Sequence, residues 1–257
     1  MVIRAAFFDV DGTLLSHTTG SVPESAKRAL DVLREAGVTV GLATGRSAEE
    51  MRELPFDDLH FDVNIMLNGQ MILDGEGAYV SGNPIAGQAL ADLVALFEAC
   101  EVPTVLIERD RTYMNFVTDD VLRTQEDIHS SVPPLGPYEG GTVFQAVAFV
   151  DEAGADRLRQ LLPGCDITRW HAKGVDINAP SPGGKADGIA RWCEASGVDI
   201  ADVIAFGDGE NDVSMLRAAG CGVAMGNAVP EAKAAADLVT TDIDDDGVWN
   251  ALALLGL

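Results

Sequence analysis

IRAAFFDVDGT, residues 3–13, is a compact apolar run that ends in two acids and a glycine. Such a run predicts a buried strand that delivers polar residues to its carboxyl end. Side chains two positions apart on an extended chain point the same way, so Asp9 and Asp11 are expected to converge. Two adjacent carboxylates repel each other unless one is protonated or a cation such as Mg²⁺ joins them. A plain Asp-Gly turn after a strand is the alternative interpretation.

Outward from this strand, helical and strand patterns alternate along the chain. The predicted elements are helix Pro23–Ala36, strands Val38–Ala43 and Val63–Leu67, helix Lys185–Ser196, strand Val203–Phe206, helix Asp212–Ala219, strand Gly222–Met225 and helix Pro230–Ala236. Alternation of this kind is typical of an α/β fold with a doubly wound, parallel, Rossmann-like sheet. We therefore predict such a sheet as the core of the protein.

The segment between the third strand and Lys185 has a different character, with patterns typical of antiparallel strands mixed with helices. Its predicted elements are helices Gly87–Cys100, Asp119–Ser130 and Glu152–Leu162 and strands Thr104–Glu108, Thr112–Val117, Val143–Val150, Ile167–Trp170 and Gly174–Ala179. We predict that residues 1–80 and 183–257 form the core domain. Residues 81–182 are predicted to form an inserted α+β cap domain that selects substrates.

Residues 207–212, GDGEND, again place acids and glycines directly after a predicted strand. Open α/β sheets bind ligands at the carboxyl ends of their strands. If this strand lies beside the first one, Asp208 meets Asp9 and Asp11 and completes a metal site. Taken alone, Gly-Asp-Gly is also compatible with an ordinary tight turn.

Two further signals are compatible with phosphate binding. Thr44-Gly45-Arg46 follows the second strand and opens a helix, where free N–H groups favour anions, although an ordinary N-cap has the same pattern. Lys185 follows a Pro-Gly-Gly loop at a predicted helix start, and it is either a phosphate ligand or a solvated surface lysine.

Together the four motifs resemble the haloacid dehalogenase superfamily. DxDGT, TGR, a lone Lys and GDGxND occur in this order at successive strand ends. The long insertion before Lys185 is similar to that of the Cof-type (subclass IIB) phosphatases. The resemblance also covers Asn68-Gly69 and the segment GVAMGNA at residues 222–228.

The resemblance implies a reaction centre built on three acids. Asp9 would attack phosphorus, while Asp11 would protonate the leaving oxygen and later activate water. Mg²⁺ would be held by Asp9, the backbone carbonyl of Asp11, and Asp208. The neighbouring acids are expected to favour the protonated form of Asp11 that the first step needs.

The resemblance also implies a set of residues around the transferring phosphoryl group. Those expected to hold it are Thr44, Gly45, Lys185 and Asn211. Asp212 would orient either a metal-bound water or Lys185. A carboxylate nucleophile, a metal and a lysine together supply the positioning and charge neutralisation that phosphoryl transfer needs.

The predicted function is therefore Mg²⁺-dependent hydrolysis of a small phosphorylated metabolite, such as a sugar phosphate, through an aspartyl-phosphate. A phosphomutase or other phosphotransferase on the same core is one alternative. A non-enzymatic phospho-acceptor switch is another, although a general acid/base at Asp11 would shorten the lifetime of such a signal.

The negative charge of the chain limits the classes of molecule that it is expected to bind. A formal net charge of −24 repels phosphate backbones and anionic lipid headgroups, so neither nucleic acid nor membrane is an expected partner. The apolar run Ile3–Phe8 is too short to span a bilayer, and a cytoplasmic location is expected.

Three polar residues flank the last predicted cap strands: His171, Lys173 and Asp176. They either contact the leaving group or form a polar strand end.

Overall fold

The computed structural model describes residues 2–56, 58–128 and 130–257. It divides into two compact units, residues 1–82 with 182–257 and residues 83–181. These bounds lie within two residues of the expected domain boundaries. Position 129, inside the predicted helix Asp119–Ser130, lies outside the described residues.

The described strands fall into two sheets. In chain order they are β1 (Ala5–Phe8), β2 (Thr39–Ala43), β3 (Val63–Met66), β4 (Met71–Asp74), β5 (Tyr79–Gly82), β6 (Thr104–Glu108), β7 (Thr112–Met114), β8 (Val143–Ala148), β9 (Asp166–His171), β10 (Gly174–Asn178), β11 (Val203–Gly207), β12 (Cys221–Ala224) and β13 (Leu238–Val239). The larger sheet has the order β13-β12-β11-β1-β2-β3-β4-β5 and belongs to the first unit, and the smaller has the order β7-β6-β8-β10-β9 and belongs to the second.

The helices of the described residues match most of the predicted ones to within a few positions. They are α1 (Glu24–Glu35), α2 (Ala48–Met51), α3 (Gly87–Ala99), α4 (Asp119–Asp127), α5 (Glu152–Leu161), α6 (Lys185–Ser196), α7 (Val213–Ala218), α8 (Pro230–Ala235) and α9 (Gly247–Leu255). Helix α2 follows Thr44-Gly45-Arg46, where a helix was predicted to begin, whereas α9 was not predicted from the sequence. Within the described residues, every helix lacks the length and apolar character needed to cross a bilayer.

The α/β fold with a parallel core sheet is confirmed, because the strands from β13 to β3 are all parallel. Strand β1 is fully buried and pairs with β11 on one side and β2 on the other, with Phe8 opposite Phe206 and Leu42. The predicted neighbour relation between the first strand and the Val203 strand is therefore present. The carboxyl ends of β11, β1, β2 and β3 consequently lie in a row at one edge of the sheet.

Beyond its parallel part, the sheet continues into a hairpin that was not predicted, in which β4 pairs antiparallel with both β3 and β5. The Asp74 side chain closes the turn between β4 and β5 by accepting hydrogen bonds from the backbone N–H groups of Glu76 (3.0 Å) and Ala78 (2.8 Å). A tight turn joins antiparallel strands directly, whereas parallel strands need a long crossover. The Asp-Gly-Glu-Gly sequence at residues 74–77 carries this turn signal.

The second unit is an antiparallel sheet packed against helices, as the α+β pattern predicts. Its pairings are all antiparallel, including the predicted hairpin of β6 and β7. One face of the sheet, with Leu106, Ala146 and Ile177, shares a buried apolar cluster with Phe97 of α3 and Leu158 of α5. This unit therefore has its own hydrophobic core.

Candidate active site

Two acids predicted for the site are brought together by strand pairing. Asp9 follows β1, and Asp208 follows β11, its parallel neighbour. The backbone N–H of Asp9 donates to the carbonyl of Phe206 at 2.9 Å, which extends the pairing up to the first acid. Gly12 has a left-handed φ of 80°, and a Cβ there would collide with the Asp208 carboxylate. Glycine is therefore required for this close approach.

Lys185, the first residue of α6, is completely buried between two carboxylates. Its Nζ donates to Asp9 Oδ1 at 2.5 Å and to Asp212 Oδ1 at 2.6 Å. Burial alone lowers the pKa of Lys185, but the charges of Asp212 and Asp9 outweigh it and raise that pKa overall. Lys185 is therefore a permanent cation at the carboxyl edge of the sheet, and the surface-lysine alternative is excluded.

Asp212 connects this lysine to the GDGEND turn. Its Oδ1 accepts from Lys185, while its Oδ2 accepts from the backbone N–H groups of Asp208 at 2.9 Å and Gly209 at 2.8 Å. Both oxygens of this fully buried carboxylate are thus engaged by protein donors. One side chain fixes the loop that carries Asp208 and the amine that touches Asp9.

Asp9, Asp208 and Asp212 form a cluster of carboxylates. Each offers an oxygen, and the three oxygens lie within 4.8 Å of one another. Burial raises the pKa of Asp9 well above its usual range, and Asp212 raises it further against the opposing effect of Lys185. Burial, with the charge of Asp212, raises the pKa of Asp208 to about 6. Burial therefore disfavours the ionised forms of Asp9 and Asp208, which a bound cation would favour.

This donor set fits a divalent cation such as Mg²⁺, which prefers carboxylate and other oxygen ligands. Asp212 is occupied by protein donors, so Asp9 and Asp208 are the carboxylates with capacity left for a metal. Within the described chain, Asp9 Oδ2 accepts no hydrogen bond, and Asp208 accepts only two long ones, from Thr13 Oγ1 at 3.3 Å and Asn227 Nδ2 at 3.4 Å.

The carboxylate of Asp11 stands apart from this cluster because it pairs with Arg46. Arg46 Nε donates to Asp11 Oδ2 at 2.7 Å, and Arg46 Nη2 donates to Asp11 Oδ1 at 2.8 Å. Bidentate pairs of this kind are charge-assisted and fix the orientation of the carboxylate. Only acids were expected beside Asp11 from the sequence, whereas the structure also places the Arg46 guanidinium there. The predicted metal contact through the Asp11 backbone carbonyl stays a prediction.

Three of the residues predicted to hold phosphate follow the parallel strands β2 and β11. Thr44 is buried after β2, and its Oγ1 accepts from the backbone N–H of Arg46 at 3.1 Å. The backbone N–H of Gly45 has no acceptor among the described residues, so it is available to an anion. Asn211 is exposed, and its Nδ2 donates to Asn68 Oδ1 at 3.1 Å.

Three residues at this edge were given no role from the sequence: Arg46, Asn68 and Asn227. Asn227 Nδ2 donates to the Gly12 carbonyl at 2.8 Å, and its Oδ1 accepts from the backbone N–H of Ile243 at 3.1 Å, so it braces the turn after β1. All three lie in stretches of sequence that carried the family resemblance. Their positions in those stretches were the available signal.

The cap residues singled out from the sequence make contacts inside their own unit. His171 Nε2 lies 3.7 Å from the Asp127 carboxylate. Lys173 Nζ lies 3.4 Å from Asp120 and 3.6 Å from Asp151. Their contact with a leaving group, like that of Asp176, stays a prediction.

Comparisons with known proteins cover both units. Residues 6–252 match the family model described as haloacid dehalogenase-like hydrolase. YkrA of Bacillus subtilis is 35% identical over 258 residues, with 99% of this chain and 98% of YkrA covered. Pyridoxal phosphate phosphatase YbhA of Escherichia coli is 30% identical over 275 residues, covering 96% and 97%. The solved structure of the subclass IIB sugar phosphatase BT4131 has a TM-score of 0.81 at 33% identity, covering 98% of this chain and 99% of that one.

Proposed function

The chain belongs to the haloacid dehalogenase-like hydrolases, and from this premise we propose that it is a Mg²⁺-dependent phosphatase that acts on small phosphorylated metabolites through an aspartyl-phosphate on Asp9. The class of reaction, hydrolysis of a phosphoric monoester, is supported by the phosphatase relatives. The Cof-type, subclass IIB resemblance is confirmed by the match to BT4131.

The observation that carries the proposal is the buried triad of Asp9, Lys185 and Asp212. Lys185 has no exposed surface, and Asp9 and Asp212 have almost none. Removing three charges from water is costly, and replacing such groups by apolar ones is often neutral or stabilising. The arrangement is therefore better explained by chemistry than by stability.

In the proposed first step, an Asp9 oxygen attacks phosphorus, and the bond from phosphorus to the leaving oxygen breaks. Protonated Asp11 gives its proton to that oxygen, and the alcohol departs. In the second step, Asp11 as carboxylate takes a proton from water, and the resulting hydroxide oxygen attacks phosphorus to release inorganic phosphate and free Asp9. The bidentate contact with Arg46 holds the Asp11 carboxyl group in one orientation.

The phosphoryl oxygens need donors and positive charge throughout both steps. Lys185 supplies a fixed positive charge next to the nucleophile, and the unpaired N–H of Gly45 supplies a donor. Thr44 and Asn211 are proposed to add their side-chain donors. When bound by Asp9 and Asp208, Mg²⁺ supplies further positive charge that offsets the repulsion between the carboxylates and a phosphate ester.

The test is release of inorganic phosphate from a panel that includes sugar phosphates, pyridoxal phosphate and acetyl phosphate, with no added acceptor. We expect release in Mg²⁺ and none in excess chelator, with full recovery when Mg²⁺ is restored. Release that persists undiminished in chelator would refute the metal requirement. Transfer of phosphate only when a second alcohol is present would favour the phosphotransferase alternative.

A further inference from the structure

Asn68 lies at the carboxyl end of β3, in line with the strand ends that carry the acids and the phosphate-binding threonine. Strand β3 is the parallel neighbour of β2, with Ile65 opposite Ala43. The row of strand ends β11, β1, β2 and β3 thus presents Asp208, Asp9, Thr44 and Asn68 in order. The first three are parts of the proposed site, whereas the fourth has been assigned no role.

The backbone at Asn68 is held in a strained conformation. Leu67 and Asn68 have left-handed φ angles of 54° and 51°, and Gly69 follows with φ of 94°. Such values are uncommon for residues other than glycine, most of all for a large apolar residue such as Leu67. Residues in this region persist only where their surroundings enforce the conformation, and they cluster at functional sites.

Two backbone hydrogen bonds tie this turn, residues 67–69, to the phosphate-binding loop. The N–H of Asn68 donates to the Thr44 carbonyl at 2.9 Å, and the N–H of Leu67 donates to the Arg46 carbonyl at 3.2 Å. A Cβ added at Gly69 would collide with the carbonyl of Gly184, the residue before Lys185. The turn therefore touches the segments on both sides of the proposed phosphoryl position.

The strained turn places the Asn68 amide between two phosphate-binding residues. Its Oδ1 accepts from Asn211 Nδ2 at 3.1 Å, and its Nδ2 and Oδ1 would lie 3.2 and 3.3 Å from a Cβ built on Gly45. No acceptor for Asn68 Nδ2 occurs in residues 2–56, 58–128 or 130–257. A donor without an acceptor thus lies next to Gly45, whose N–H is equally without one.

We infer that Asn68 is a further ligand of the substrate phosphoryl group, donating a hydrogen bond from Nδ2 beside the Gly45 N–H. The inference rests on the proposed function and extends the proposed site to a fourth strand end. An ordinary left-handed turn does not require an amide, since glycine suits that conformation better. Asn also adopts this conformation and its Oδ1 accepts from Asn211, so Nδ2 is the part of the amide that is left to donate.

Two substitutions separate donation to phosphate from a merely structural role. Asn68→Gly keeps the left-handed backbone and removes the amide. Asn68→Asp keeps the size and the acceptor for Asn211, but it loses the donor and adds a negative charge. Asp246→Gly is the matched control, because Asp246 is an exposed residue of the same unit with a left-handed φ of 60°.

The measurements are kcat/KM for acetyl phosphate, binding of inorganic phosphate by calorimetry, and Tm. We expect Asn68→Gly to lose about 10- to 100-fold in kcat/KM and to weaken phosphate binding, with Tm near that of the wild type. Asn68→Asp should lose more than Asn68→Gly, and Asp246→Gly should keep wild-type kinetics and phosphate affinity.

Wild-type kinetics and phosphate affinity in Asn68→Gly would overturn the inference. So would wild-type behaviour of Asn68→Asp, because the acceptor alone would then suffice. A wild-type protein that binds phosphate through Asn68 but hydrolyses nothing would refute the proposed function and leave the inference standing.

Discussion

The two compact units use charged residues in opposite ways. In the first, Lys185 is fully buried between Asp9 and Asp212, whose side chains are 8% and 0% exposed. In the second, Lys173 is 40% exposed and lies near Asp120 and Asp151, which are 48% and 61% exposed. Both lysines thus lie near two carboxylates, yet only Lys185 is completely removed from water. Water screens the exposed group, so its contacts contribute little to stability, whereas the buried group depends on every partner.

The largest expected effect distinguishes these two lysines directly. Lys185→Met leaves two buried carboxylates without their cation, so we expect a loss of about 3 to 5 kcal/mol in the free energy of unfolding. Turnover of acetyl phosphate should fall at least about 100-fold, because the fixed charge at the phosphoryl group is gone. Lys173→Met, with the same change in side chain, should change neither quantity much. Urea denaturation measures the stability of each variant, and phosphate release measures its turnover. Equal losses in the two variants would contradict the expected difference between the buried and the exposed lysine.

A smaller effect is the pH dependence of stability that follows from the raised pKa of Asp208. The pKa of Asp208 in the folded protein is about 6, above its ordinary 3.8, so the folded state holds a proton that the unfolded state has lost. The resulting stabilisation is present at low pH and is lost as pH rises through about 6. Without divalent cations, the free energy of unfolding should therefore decline between about pH 4 and about pH 6 from this contribution and level off above.

Mg²⁺ should compensate for that decline, because it binds the deprotonated carboxylates. We expect saturating Mg²⁺ to raise Tm more at about pH 7.5 than at about pH 5, with the metal bound only in the folded state. Asp208→Asn should remove most of the difference. Calorimetric scans at both pH values check this, and an equal Mg²⁺-dependent rise at both would contradict a carboxylate metal site.

The smallest expected effect concerns the second unit, which is predicted to be a cap that selects substrates. Substitution of His171 or Lys173 by alanine should alter the ratio of kcat/KM between large phosphate esters by a few-fold to about tenfold. Hydrolysis of acetyl phosphate should change little, since it offers almost no leaving group to contact. Measuring kcat/KM of each variant for the large esters and for acetyl phosphate tests this expectation. Equal losses on both would indicate that the cap supports chemistry or closure instead.

The acids of the site could be predicted because they depend on local rules. An apolar run buries a strand, parallel strands place their carboxyl ends at one edge, and Asp9 and Asp208 follow such strands. The β4–β5 hairpin was missed because its turn lies between short strands, where side-chain closure by Asp74 decides the direction of the chain.

The partners of the acids could not be predicted in the same way. Arg46 reaches Asp11 across 35 positions of sequence, and Asn68 reaches Asn211 across 143. Such contacts depend on rotamers of long side chains and on the left-handed turn at residues 67–69, neither of which has a periodic signal. The buried state of Lys185 likewise depends on two acids that are distant in sequence, Asp9 and Asp212.

A covalent phosphoryl group on Asp9 is the central feature of the proposed mechanism. Acid quenching during turnover tests for this group most directly. Wild-type protein and Asp9→Asn are mixed with acetyl phosphate and Mg²⁺, quenched within a turnover, and analysed by peptide mass spectrometry. We predict a phosphoryl group on Asp9 that forms and disappears at least as fast as steady-state turnover. Asp9→Asn should carry no label and should retain less than about a hundredth of the wild-type rate, since an amide is a poor nucleophile. Turnover without a label on Asp9, or substantial turnover by Asp9→Asn, would contradict the mechanism.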